Sequence, residues 1–222
     1  MSKAPFRFGC VLLAAGASTR MGRPKQLLPA GGRPLVAHAA EAVLASPAWP
    51  VVVVLGAQAE KIRPALVRLP VLIAENPEWA EGLGSSIRAG MAALKNFWRT
   101  LDAVLVALAD QPALSAEAVA RLVAAHHATG RSLVAARYAG RLGAPALFVR
   151  EHFPALQQLR GDQGARALLD ADPDRVAAVD LPEFAFDVDT PADYEKLRLN
   201  NAALSPRAAS SAKPASDART VK

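Results

Sequence analysis

The chain has a single cysteine, Cys10, among 222 residues, so it can form no internal disulfide and offers no companions for a zinc site. Cys10 stands in an apolar, strand-like run and reads as inert core. Long hydrophobic runs are missing too. The longest, such as Val51–Leu55 and Ala103–Ala109, fall far short of the ~20 residues that span a bilayer, so no membrane partner is expected. Met1–Phe8 carries Lys3 and Arg7 but no signal core with a small-residue cleavage site, which predicts a cytoplasmic protein. Acidic residues are absent from positions 1 to 40, where six basic side chains lie. Residues 41–199 hold 16 basic against 19 acidic side chains, and residues 200–222 hold four against one. The overall charge of +6 therefore marks one basic segment beside a mildly acidic body, and no nucleic-acid partner is expected. With 52% hydrophobic and 21% charged residues, wholesale disorder is excluded, and the length suits one large domain or two small ones.

What is present is an alternation. Strand-like runs at Cys10–Ala15, Val51–Leu55, Val71–Ala74, Ala103–Ala109 and Leu133–Arg137 are separated by stretches with apolar residues at helical spacing. These helices are expected at about Pro34–Ser46, Ala59–Leu66, Ser85–Asn96 and Ser115–Thr129, the last with Ser115 as N-cap and Gly130 as stop. The pattern predicts an α/β fold, a Rossmann-like doubly wound and mostly parallel sheet covered on both faces. After Tyr138 the order loosens: Gly143-Ala144-Pro145 is irregular, followed by the run Ala146–Val149 and short helices at His152–Leu159 and Ala165–Ala171. Short strands are expected at Val176–Val179 and Ala185–Phe186, and a last helix from Pro191 to about Leu199. No repeat is visible. The organisation reads as an N-terminal extension over 1–8, one domain over 9–199, and a tail over 200–222 whose Ala, Ser, Pro and basic composition predicts disorder without catalytic function.

The first strand runs into Leu13-Ala14-Ala15-Gly16-Ala17-Ser18-Thr19-Arg20-Met21-Gly22-Arg23-Pro24-Lys25. A small-residue loop at the carboxyl end of a first parallel strand is where an open α/β sheet takes its ligand. Gly16 and Gly22 permit positive φ and close backbone approach, while Arg20, Arg23 and Lys25 add the charge to hold a polyphosphate. It matches neither the P-loop nor the dinucleotide fingerprint.

Three carboxylates in two segments stand out. Asp110 follows the apolar strand Val104–Ala109, which sets it at the same sheet edge; it reads as a ligand for a hard cation or as part of the start of the next helix. Asp187 and Asp189 alternate about Val188, so in extended chain both point one way. The competing reading is that Asp189 or Thr190 caps the helix beginning at Pro191. In the segment 75–86, Asn76, Gly82, Ser85 and Ser86 offer groups able to read a base edge, and Ser85 as helix cap with Trp79 as core is the structural alternative. The four histidines lack metal-ligand spacing and receive no chemistry.

Taken together, Leu13-Ala14-Ala15-Gly16, Arg20-Met21-Gly22 and Lys25-Gln26-Leu27-Leu28-Pro29 resemble the signature of nucleotidyltransferases of the MobA/MocA branch. The segment Glu75–Ser86, Leu108-Ala109-Asp110-Gln111-Pro112, Gly161-Asp162-Gln163-Gly164-Ala165-Arg166 and Asp187-Val188-Asp189-Thr190-Pro191 narrow the resemblance to the molybdenum cofactor cytidylyltransferases of the MocA type, over about residues 9–198. The resemblance implies a nucleotide-diphospho-sugar transferase-like fold, with a less regular C-terminal part that binds the acceptor. It implies transfer of CMP from CTP to the terminal phosphate of Mo-molybdopterin, with release of pyrophosphate. Lys25, Arg20 and Asp110 become the catalytic candidates. Nucleotide contacts fall to Leu13, Ala14, Ala15, Gly16, Arg20, Gly22, Arg23, Lys25, Asn76, Gly82, Ser85, Ser86 and Asp110. Mg²⁺ would lie between Asp110 and Asp189, with Asp187 the weaker second ligand. Arg141 and Arg166 are expected at the acceptor, or as plain surface arginines. Guanylyltransferase relatives usually carry two glycines where this chain has Ala15-Gly16, which favours CTP. A molybdoenzyme of the xanthine dehydrogenase type, or its chaperone, is the implied partner. Competing expectations are a guanylyl- or sugar/polyol-phosphate nucleotidyltransferase of the same fold, and a non-catalytic molybdenum cofactor chaperone.

Overall fold

The computed structural model describes residues 5–162 and 164–204; Gln163 and the tail beyond Leu204 lie outside the described residues. One seven-stranded sheet organises the chain. Its strands are β1 (Phe8–Ala14), β4 (Val51–Leu55), β5 (Leu72–Glu75), β6 (Ala103–Leu108), β7 (Leu133–Tyr138), β8 (Arg141–Val149) and β9 (Val176–Asp180), in the order β5-β4-β1-β6-β8-β7-β9. Every neighbouring pair is parallel except those made by β8, which runs antiparallel to both β6 and β7. A two-residue ladder, β2 (Pro29–Ala30) with β3 (Arg33–Pro34), stands apart.

Alternation along each central strand builds two cores. Phe8, Cys10, Leu12 and Ala14 of β1 face one layer, while Val11 and Leu13 face the other. The first layer is covered by α1 (Leu35–Leu44), α2 (Ala59–Ile62) and α4 (Ala116–Thr129), the second by α3 (Leu83–Ala93), α5 (Phe153–Leu156) and α6 (Arg166–Ala171). Buried on both faces, these strands are apolar throughout, which is why they were readable. Cys10 is fully buried, and burial pushes its thiol pKa up, away from the reactive thiolate. In α4 the Ser115 hydroxyl accepts from Ala118 N at 3.2 Å, and Gly130, at φ 66°, returns its N–H to the His126 carbonyl at 2.8 Å.

Three local expectations differ from the structure. Arg141–Pro145 is not irregular but the first half of β8, entered through a tight turn whose residues Ala139 and Gly140 both have positive φ. Pro145 hid this strand. It is tolerated because the β7–β8 register shifts between Ala135 and Ala136, which leaves Pro145 out of the ladder. Ala185–Phe186 is no strand: Pro182–Ala185 forms a 3-10 turn that buries Phe184 against Tyr138. Finally, α7 (Pro191–Leu204) runs five residues past the expected boundary at 199. Together with Met21, Leu28, Ala30, Leu35 and Val188, its residues Tyr194 and Leu197 form a third, smaller core beside the carboxyl edge of the sheet. No described helix is long and apolar enough to cross a membrane.

Candidate active site

The chain leaves β1 toward β4 on one side, while β6 lies on the other, so the loops after β1 and β6 diverge and open a crevice at the carboxyl edge. Into this crevice the structure brings Lys25, Asp110 and Asp189. Lys25 Nζ lies 2.5 Å from Asp110 Oδ2 and 2.6 Å from Asp189 Oδ1, and Arg20 Nη2 holds the other Asp189 oxygen at 2.8 Å. A backbone bond from Val188 N to the Asp110 carbonyl, at 3.0 Å, ties the two acidic segments together. Val188 itself is fully buried in the third core, so the packing of α7 sets where Asp189 stands.

Burial opposes charge on Lys25, but Asp110 and Asp189 outweigh it and hold its pKa above the ordinary lysine value. Asp189 is likewise disfavoured by burial, yet Lys25 and Arg20 keep its carboxyl below the usual range. Asp187 behaves oppositely. Burial, followed by the nearby Asp110 carboxylate, pushes it up to about 6. Oδ1 of Asp110 and Oδ1 of Asp187 are buried with no hydrogen-bond partner among the described residues. Carboxylate oxygens left without donors, beside a basic loop, fit a hard divalent cation that takes its remaining ligands from phosphate. Among the described residues no three His, Cys, Asp or Glu side chains cluster to hold an ion by themselves.

Two cavities, of about 390 Å³ and 590 Å³, share Leu13, Leu83, Leu108 and Asp162 and so form one two-lobed crevice. Of the expected nucleotide contacts, Leu13, Ala14, Ala15, Gly16, Lys25, Gly82, Ser86 and Asp110 line the smaller lobe. Gly22 has φ 70°, as the loop needs, whereas Gly16 has no positive φ; its use is space, since a Cβ built there meets nothing within 4 Å. Gly82, at φ 113°, is required on both counts, because a Cβ would collide with Asp162 and Gly161. Asn76 and Ser85 lie behind the wall. Asn76 Nδ2 donates to Ser85 Oγ at 2.8 Å and Ser86 Oγ at 3.1 Å, and all three residues are buried. This network fixes the loop before α3, and Ser85 caps no helix end with its side chain. Arg20 and Arg23 line neither lobe: Arg20 holds Asp189, and Arg23 stacks over the Tyr194 ring at 5.6 Å.

The larger lobe takes Arg141, Arg166, Tyr138 and Asp187 from four separate segments. Arg166 is paired with Asp170 at 3.4 Å, while Arg141 lies over the Tyr138 ring at 5.7 Å and forms no ion pair among the described residues. Gln26, Tyr138 and Asp162 were not singled out by sequence. For Gln26 and Asp162 the signal was their place in quoted motifs; Tyr138 has none, and only the β7–β8 hairpin brings it here.

Comparison with known proteins bears on the family and the fold. The MobA-like NTP transferase domain model matches residues 10–176. Nicotine blue oxidoreductase of Paenarthrobacter nicotinovorans is 41% identical over 192 residues, 81% of this chain and 91% of its own length. Purine catabolism protein PucB of Bacillus subtilis is 30% identical over 209 residues, 88% of this chain and 98% of its own. The crystal structure of the Rv0371c homologue from Mycobacterium sp. strain JC1 superposes with a TM-score of 0.75 at 32% identity, covering 89% of this chain and 98% of that one. A manganese complex of Rv0371c from Mycobacterium tuberculosis H37Rv gives 0.68 at 27%, covering 86% and 97%. Molybdopterin-guanine dinucleotide biosynthesis protein A from Archaeoglobus fulgidus, at 16% identity and TM-score 0.62 with 88% and 100% covered, shares the fold. The chain belongs to the MobA-like NTP transferase domain family.

Proposed function

We propose that the protein transfers CMP from CTP to the terminal phosphate of Mo-molybdopterin. A phosphate oxygen of the acceptor bonds to the α-phosphorus, the α–β bridging bond breaks, and pyrophosphate leaves. The observation that carries this reading is Lys25 between Asp110 and Asp189, beside the Ala14-Ala15-Gly16 loop at the topological switch point. A phosphomonoester with second pKa of about 6 is already largely dianionic at neutral pH, so no strong general base is needed. The demand is electrostatic: two anions must be held in line and charge on the departing pyrophosphate stabilised. Lys25 serves the reacting phosphate and Arg141, free of acidic partners among the described residues, the acceptor anion; Arg20 and Arg23 reach the outer phosphates only by leaving Asp189 and the Tyr194 ring. Asp110 and Asp187, whose Oδ1 atoms have no partner among the described residues, would hold a divalent cation, Mg²⁺ in this reading, and Asp189 would join them only by giving up Lys25 or Arg20; the ion supplies charge neutralisation on the phosphates when bound. The product would pass to a molybdoenzyme of the xanthine dehydrogenase type.

Pyrophosphate release measured over a panel of CTP and GTP with Mo-molybdopterin or sugar phosphates tests the reading. CTP with Mo-molybdopterin is the expected pair; preference for GTP, or for a sugar phosphate, refutes it. The name of the 41% identical relative supports a second reading, a redox enzyme that binds its substrate in the same crevice. Consumption of a reduced nicotinamide dinucleotide by the purified protein, with no pyrophosphate released from any triphosphate, would establish it instead.

A further inference from the structure

Gln26 follows Lys25 directly, is only 3% exposed, and lines the smaller lobe. A buried carboxamide is costly unless its hydrogen-bonding groups are satisfied. Here every recorded partner belongs to the phosphate loop. Nε2 donates to the Ala14 carbonyl at 3.0 Å and the Gly16 carbonyl at 2.9 Å, and Oε1 accepts from the Ser18 hydroxyl at 3.2 Å. Ser18, held at φ 58°, accepts in turn from Lys25 N at 3.1 Å. The peptide units of this loop are trans, so each N–H points opposite to the C=O of its own unit. With the carbonyls of Ala14 and Gly16 turned to Gln26, the N–H groups of Ala15 and Ala17 face away from it. Beside Gly16 the space is open.

We propose that Gln26 is a positioning residue for the triphosphate. It draws two carbonyl oxygens away from the anion, so that the Ala15 and Ala17 N–H groups meet phosphate oxygens, and through Ser18 it fixes the root of Lys25. Without it the Ala14 and Gly16 carbonyls are free to turn toward the phosphates and repel them. The inference rests on the nucleotidyltransferase reading above, and it concerns the nucleotide step alone.

Gln26→Met keeps the side-chain length and removes all three bonds. In the full-length protein, equilibrium binding of CTP with Mg²⁺ is expected to weaken about tenfold. The KM for CTP should rise by a similar factor while that for the acceptor stays within about twofold. Gln26→Glu, which sets a carboxylate against the two carbonyls, should bind CTP more weakly still. A folded Gln26→Met with wild-type CTP affinity and KM overturns the proposal, as does an equal rise in both KM values, which general loosening would give. If neither variant folds, Ser18→Ala decides, with an expected loss of about threefold in CTP affinity and unchanged affinity as the refuting result. A wild-type protein that binds CTP but transfers nothing to Mo-molybdopterin defeats the proposed function, while the binding comparison still tests Gln26.

Discussion

Lys25 faces two carboxylates at 2.5 and 2.6 Å, and these two contacts explain much of the site's behaviour. Removing the ammonium takes away charge at the reacting centre and leaves Asp110 and Asp189 to repel each other. By analogy with the loss of one preorganised donor, Lys25→Ala should lower turnover by about 10² to 10³-fold, and wild-type turnover in this variant would remove Lys25 from the mechanism. Asp187 makes a pH prediction. Its carboxyl rises from 3.8 in the unfolded chain to about 6 when folded, so the folded state holds its proton more tightly. Stability from this group is therefore complete below about pH 4 and is lost as the pH rises toward 6. Asp187→Asn should then raise the Tm of the metal-free protein above pH 6 and leave it unchanged below pH 4, as followed by thermal melts across that range. Lys25, Asp110 and Asp189 could be read from sequence because each stands next to a strand end or a helix start. Tyr138 could not, since cross-strand position leaves no mark in its immediate neighbours, and for Gln26 the motif gave the residue but not its burial or its bonds to the loop.

Helix α3 shows how one glycine sets an element against the sheet. A Cβ on Gly90 would drive into the Val11 side chain of β1 and meet Val54 of β4 at 3.0 Å. Alanine is the better helix former by about 1 kcal/mol, but overpacking against two β-branched side chains costs about 1 to 3 kcal/mol. Gly90→Ala is accordingly expected to lower the urea midpoint; a higher midpoint would show that α3 can lift off freely. At the other end of the helix, a Cβ on Gly84 would meet the Arg160 backbone at 2.8 Å, and Arg88 clamps Glu81 and the Leu159 carbonyl. These contacts hold together the walls of the two lobes. Val51–Leu55 was legible to the residue because both its faces are buried, whereas β8 was not, because Pro145 breaks the pattern and only the register shift beside it makes room.

Across the whole molecule, three of the basic residues of segment 1–40, Arg20, Arg23 and Lys25, follow β1 at the carboxyl edge of the sheet, whereas Arg7 precedes β1 and Arg33 pairs with Glu41. A triphosphate with its cation should stabilise the folded protein by mass action, raising Tm with concentration, and a chelator should abolish most of that gain. The Arg20 side chain is 69% exposed, so its share should fade with added salt more than that of Lys25, at 13%. Melting curves with CTP at rising ionic strength, comparing Arg20→Ala with the parent, measure this difference. The sequence by itself determined the α/β class, the position of the small-residue loop after β1 and the identity of the cations in it, because these depend on periodicity and on neighbours in the chain. Only the tertiary structure decided that Lys25 reaches Asp110 and Asp189, 85 and 164 residues away, and that Asn76 and Ser85 serve the wall instead of facing the lobe. Those outcomes depend on which strands pair and how α7 packs on Val188, and such long-range contacts are fixed by the fold of the entire chain.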